Sequence, residues 1–220
     1  MDWQRQCNAL FELDVQLTRT CECQAPRALA AHAAGDEGGI AGVKRLRVLP
    51  NGQPNSVKAS LRREFGVTEN LEYNFHCNAC NQDRHHLTET RRIEAAPELL
   101  RLQLNPVRVV QREIEGGMEN ETVPNYNPIQ INEHLDLTEY LEPQQVPVAP
   151  LKYRLQSVLY HGGGNSRGHY WALVRGPQDA YRVSDRQVDK LDHKSRLWVG
   201  GSRGTRAIIL MYHRVHQKRP

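Results

Sequence analysis

The 220-residue chain has no long apolar run. Its longest, AIILMY from Ala207 to Tyr212, is far short of the roughly 20 residues a helix needs to cross a bilayer. The opening MDWQRQ places acidic and polar residues where a secretory signal would carry its apolar core, so the sequence predicts neither a membrane span nor export. An excess of one charge is also lacking: 29 Lys+Arg stand against 25 Asp+Glu, and the basic residues are scattered rather than gathered into a stripe. Aromatic residues make up 6% of the chain and nowhere interleave with basic ones along a strand, which argues against a nucleic-acid partner. What is present, 39% hydrophobic and 25% charged residues, suits one soluble domain with a core, and the expected location is cytoplasmic or nuclear.

Cysteine is scarce, and its number is odd. Of the five, four fall in two close pairs, Cys21/Cys23 and Cys77/Cys80, a pattern unlike that of a disulfide scaffold. Two short turns distant in sequence, each presenting two thiolates, supply what tetrahedral zinc requires. The CNAC pair has the usual knuckle spacing. The CEC pair is one residue shorter, which strains the approach of both sulfurs to one metal. His76, His85 and His86 stand close enough in sequence to replace a ligand. The alternative is a metal-free lobe in which four reduced cysteines pack as small soft hydrophobes. Cys7 lies outside both pairs and reads as a buried small hydrophobe.

Periodicity organises the rest. Leu13, Val15 and Leu17 alternate with Asp14 and Gln16, predicting a strand into the first cysteine pair. Ala25 to Gly42, rich in Ala and Gly, predicts a flexible insertion with a short helix at best. A strand at Lys44 to Leu49, a turn at Pro50 to Gly52 and an amphipathic helix at Ser56 to Phe65 follow. Two strands flank Ala95, Ala96 and Pro97, and Gly116 to Asn127 reads as a loop. LDLTEYL, Leu135 to Leu141, predicts a short capped helical turn with Leu137, Tyr140 and Leu141 facing inward. The last part reads as antiparallel strands at Tyr153–His161, His169–Arg175, Tyr181–Asp185 and Ala207–Val215.

The segments CEC, FHCNAC, PELLRLQL, LDLTEYL, YRLQSVLYHGGG, GHYWALVR, YRVSDRQV and AIILMYHRV occur in an order and at spacings that resemble the ubiquitin-specific protease family of cysteine deubiquitinases. The resemblance spans nearly the whole chain. It implies an α+β, papain-like cysteine proteinase fold in partial form: an antiparallel palm sheet and a β-rich zinc finger lobe, with the thumb helices largely missing. The chain is then one partial domain, residues 1–220, with a fingers lobe at 13–93 and a palm at 94–220. The resemblance assigns the catalytic base to His169 and its orienting acid to Asp185, structural zinc to Cys21, Cys23, Cys77 and Cys80, and ubiquitin or a ubiquitin-like modifier as partner. The chemistry suits those positions, because an imidazole removes a thiol proton only when its other ring nitrogen is held by a partner.

The family's nucleophile sits in a box resembling Gly-Asn-Thr-Cys-Tyr, and no such segment occurs in these 220 residues. Leu102 to Val107, LQLNPV, also departs from the family's Leu-Lys-Arg-Phe, with Pro106 interrupting the strand. The expectation is an inactive or truncated ubiquitin-binding remnant that begins about where the family's second half begins and whose missing thumb a partner chain would complete. Two alternatives stand beside it. One is an active cysteine hydrolase that uses Cys7 or a nucleophile from a partner chain; the other is a zinc-ribbon interaction module that does not bind ubiquitin.

Overall fold

The computed structural model describes residues 10–11, 13–21, 26–29, 43–47, 55–66, 68–77, 80–105, 107–114, 117–124, 127–142, 150–163, 168–191, 201–202 and 205–216. Strands dominate, and one α-helix is present among the described residues. A first sheet of four strands holds β1 (Asp14–Cys21), β2 (Pro26–Leu29), β4 (Thr68–Cys77) and β5 (Gln82–Ala95) in the order β2-β1-β5-β4. The larger sheet runs β13-β12-β11-β10-β15-β6-β3. Its members are β3 (Val43–Arg47), β6 (Leu99–Asn105), β10 (Lys152–Gly163), β11 (Gly168–Arg175), β12 (Ala180–Ser184), β13 (Gln187–Leu191) and β15 (Thr205–Arg214). Two short strands join it from the side: β9 (His134–Asp136) pairs with β10, and β14 (Gly201–Ser202) with β15. β3 pairs with β6 in parallel and so joins the larger sheet, although it lies within the stretch expected to form the fingers.

Residues directly opposite one another across a sheet share a face, so the register sorts the side chains. One row of the large sheet reads Leu102, Leu210, Val158 and Leu173, and all four are buried. Tyr153, Leu155, Tyr160, Leu100 and Tyr212 extend the same core face. The opposite row, Gln103, Ile209, Leu159, Ala172 and Val183, is half-buried throughout. The Tyr212 hydroxyl donates to the Asn132 carbonyl at 2.8 Å and the Tyr153 hydroxyl to that of Pro97, so neither phenol is buried unsatisfied. Burial pushes both phenols well above their ordinary pKa.

Helix α1 (Val57–Phe65) covers part of that core with Val57, Leu61 and Phe65, and the ring of Phe65 stacks on Tyr140 at 5.2 Å. A helix begins with backbone donors that have no partner inside it. Here the N–H groups of Val57, Lys58 and Ala59 donate to the Gln130 carbonyl, Asn132 Oδ1 and Ser56 Oγ. Ser56 is thus the N-cap, and the 128–132 segment is tied to the start of the helix. LDLTEYL forms β9 and a 3-10 turn at Thr138–Tyr140 with Leu137, Tyr140 and Leu141 buried as expected. Asp136 Oδ1 accepts from the N–H and the hydroxyl of Thr138.

Two sequence expectations are corrected. Pro26–Leu29, inside the stretch expected to be a flexible insertion, is strand β2, in register with Leu17 to Thr20 of β1. Within the expected loop at 116–127, Gly117–Pro124 is strand β8, paired residue by residue with β7 (Val107–Ile114). Backbone pairing with a neighbour overrode the glycines and polar residues that marked both stretches as irregular. The expected turn at Pro50 to Gly52 lies outside the described residues, as do Cys7, Cys23 and Pro106.

Candidate active site

β11 carries the GHYWALVR stretch. Alternation puts His169 and Trp171 on the core-side face and Tyr170 on the other. Trp171 lies flat on the buried Tyr160, with ring centroids 4.2 Å apart and planes 9° from parallel, and the Arg182 guanidinium stands 5.0 Å from the Trp171 ring. This stack is a fixed floor beside His169. Stacking and cation–π contacts of this kind add roughly 1 kcal/mol each to the burial of the rings.

β12 runs antiparallel to β11 and ends at Ser184, where a two-residue turn of Asp185 and Arg186 leads into β13. Asp185 takes a left-handed backbone conformation with φ 51°, which aspartate tolerates better than most residues. His169 Nε2 lies 2.6 Å from Ser184 Oγ. His169 Nδ1 lies 3.8 Å from Asp185 Oδ2, too far for a hydrogen bond, and the two side chains are 51% and 80% exposed. The structure therefore places Asp185 beside the His169 ring, but the ring's direct hydrogen bond is to Ser184, which is not among the residues expected from the sequence. Its signal was in the alternation of YRVSDRQV: Arg182 and Ser184 share one strand face, whereas Asp185 falls in the turn.

Behind this site, His161 of β10 is buried and packs at 4.6 Å against the Tyr170 ring, with Arg206 Nη2 3.5 Å from its Nδ1. At the far end of β11, Arg175 donates to Glu133 Oε1 at 2.7 Å and to the Leu155 carbonyl at 3.2 Å. That pair clamps the chain before β9 onto the central strands.

Of the paired cysteines, Cys21 and Cys77 lie in strands of the other sheet. Cys21 ends β1 and Cys77 ends β4, on either side of β5, with register partners Leu87 and Gln82. Cys80 is a free, half-buried thiol beside Asn81, a turn residue with φ 52°. Among the described residues no group of three or more His, Cys, Asp or Glu side chains is placed to hold a metal ion, and no helix is long and apolar enough to cross a membrane.

The sequence model of the ubiquitin carboxyl-terminal hydrolases matches residues 7–212. The chain belongs to that family. No curated protein sequence matches it. Among solved structures, it resembles a chain of the SAGA Ubp8/Sgf11/Sus1/Sgf73 DUB module bound to ubiquitin aldehyde, with a TM-score of 0.73 and 17% identity. A Ubp8 variant of that module bound to monoubiquitin gives a TM-score of 0.70, and a yeast SAGA DUB module with altered Sgf73 gives 0.69, both at 17% identity. Each match covers 96% of this chain and 42% of the other, so the chain spans under half the length of these relatives. The papain-like fold expected from the sequence is thereby established, and the chain is a deubiquitinase-like domain of this family.

Proposed function

We propose that this chain binds ubiquitin across its finger and palm strands, and that His169 is the base half of a thiol-dependent ubiquitin hydrolase site whose nucleophile it does not itself supply. The observation that supports the reading most is the His169 ring, held at the end of β11 by a 2.6 Å contact to β12 inside a family match that spans residues 7–212. The Cys80 thiol lies between β4 and β5 of the four-stranded sheet, not in the sheet of His169. A base without a thiolate binds but does not cleave, since the members of such a triad act as a unit.

A partner chain completing the thumb fits the second face of the palm sheet, where Leu159, Val174, Val183, Ile209 and Met211 are only half-buried. Zinc on Cys21, Cys23, Cys77 and Cys80 belongs to the same proposal as a structural staple of the finger strands. The test is incubation with ubiquitin bearing a thiol-reactive C-terminal group, beside calorimetric titration of ordinary ubiquitin. Binding without capture supports the remnant reading. Capture at Cys7 replaces it with an active hydrolase, and the absence of both signals leaves a finger module with no ubiquitin role.

A further inference from the structure

In a Ser-His-Asp type of triad one carboxylate does two things: it holds the imidazole in one tautomer, and it offsets the positive charge when the ring takes a proton. Around His169 those two tasks fall on different atoms. Ser184 Oγ sits 2.6 Å from Nε2 and comes from the last residue of β12, half-buried and anchored by the pairing of β12 with β11 and β13. Asp185 Oδ2 sits 3.8 Å from Nδ1 on a side chain that is 80% exposed, where water competes for every contact. An exposed carboxylate beyond hydrogen-bond distance does not fix a ring orientation. A hydroxyl at 2.6 Å on a paired strand does.

We propose that Ser184, not Asp185, is the positioning residue of this site. Ser184 Oγ accepts a hydrogen bond from Nε2–H, which leaves the lone pair on Nδ1, the nitrogen that faces the exposed Asp185 carboxylate. A proton taken up there arrives on the ring atom nearest the negative charge, so Asp185 acts only on the protonated form. The hydroxyl carries no charge of its own. The device therefore orients the base through a neutral hydrogen bond while giving the imidazolium only a solvent-screened partner. This inference rests on the reading of His169 as the base, yet it concerns the ring's hydrogen bond, which is measurable without ubiquitin.

The experiment is proton–nitrogen NMR of the His169 imidazole in the full chain, assigned by comparison with His169→Gln. It is repeated for Ser184→Ala, Ser184→Thr and Asp185→Asn, with a ubiquitin titration of each. The wild type is expected to show the Nε2–H tautomer with a protected, observable Nε2–H proton. Ser184→Ala loses that proton signal and averages the two ring nitrogens, and Ser184→Thr, which keeps the hydroxyl, restores both features. Asp185→Asn leaves the neutral ring unchanged and alters only the protonated one. An Nδ1–H tautomer in the wild type overturns the proposal even if Ser184→Ala fails to fold. So does a neutral-ring pattern that responds to Asp185→Asn and ignores Ser184→Ala. If the ring behaves as expected but no variant or wild type binds ubiquitin, Ser184 keeps its positioning role and the functional reading fails by itself.

Discussion

Gly168 lies against the His161 imidazole so closely that a Cβ at residue 168 would overlap the ring and crowd the Gly162 carbonyl oxygen. The requirement is for space rather than for a left-handed backbone, and it sits one residue before the proposed base. Gly168→Ala is expected to cost about 1–3 kcal/mol, the usual range for forcing extra volume into a packed site. Because the displaced ring is His161, the double variant Gly168→Ala/His161→Ala should recover part of that loss. Urea unfolding of the four proteins in a double-mutant cycle measures the coupling. Strictly additive effects would show that the tight approach of these two residues is of no energetic consequence.

Trp171 joins the site to the core. Its ring rests on Tyr160, whose side chain is 2% exposed, and is flanked by Arg182. Truncation to Ala removes the stack and leaves a void over Tyr160, with an expected cost of about 3 kcal/mol. Trp171→Phe should keep most of the stability. His169 occupies the same strand face two residues earlier, so the NMR signals of its ring should shift in Trp171→Ala and stay near wild type in Trp171→Phe. An unshifted His169 ring in Trp171→Ala would show that the stack does not support the site.

Zinc offers a prediction in which the short first pair is decisive. With four thiolates on one ion, the purified chain should hold about one zinc per molecule by atomic emission, and Cys80→Ser should lower both the zinc content and the melting temperature. Chelator treatment of the wild type should reproduce the Cys80→Ser melt. Zinc-free protein with an unchanged melt in both experiments would favour four reduced cysteines packed as soft side chains.

Much of the large sheet was legible because its strands obey the two-residue period. Val158 and Tyr160, and Leu210 and Tyr212, are buried where alternation puts them inward, while Leu155 joins the same face through the irregularity between Leu155 and Ser157. The helix was legible for a local reason, since Ser56 can cap it and Leu61 and Phe65 fall four apart. β2 and β8 were not, because their residues have no strand preference of their own and gain order only by pairing with β1 and β7. At the site, His169 was identifiable only through resemblance, since a lone strand-end histidine has no distinctive pattern. Ser184 was hidden for the opposite reason. The charged neighbour Asp185 drew the assignment, and only the register and the left-handed turn show which of the two side chains meets the ring at hydrogen-bond distance.

Acid should loosen the clamp before β9, and the direction follows from two carboxylates. Burial alone would raise the pKa of Glu133, but the charge of Arg175, helped by His134 and Arg154, outweighs it and holds the group below its ordinary 4.5. Burial likewise opposes ionisation of Asp136, and the two hydrogen bonds from Thr138, with Lys152 and Lys58 nearby, carry it below its ordinary 3.8. A carboxylate whose folded pKa is depressed adds stability above its unfolded value and loses it as pH falls through the folded one. The window thus opens below 4.5 for Glu133 and below 3.8 for Asp136. Glu133→Gln removes one of the two contributions and leaves Arg175, whose side chain is only 8% exposed, facing a neutral amide. Because Glu133 is itself 35% exposed, water screens the pair and the expected cost at neutral pH is about 1 kcal/mol rather than the several of a fully buried pair. Urea unfolding at pH about 7 and about 3 decides the matter. The variant should start lower and lose less on acidification than the wild type, and an equal loss in both would mean that Glu133 is not a source of the acid sensitivity.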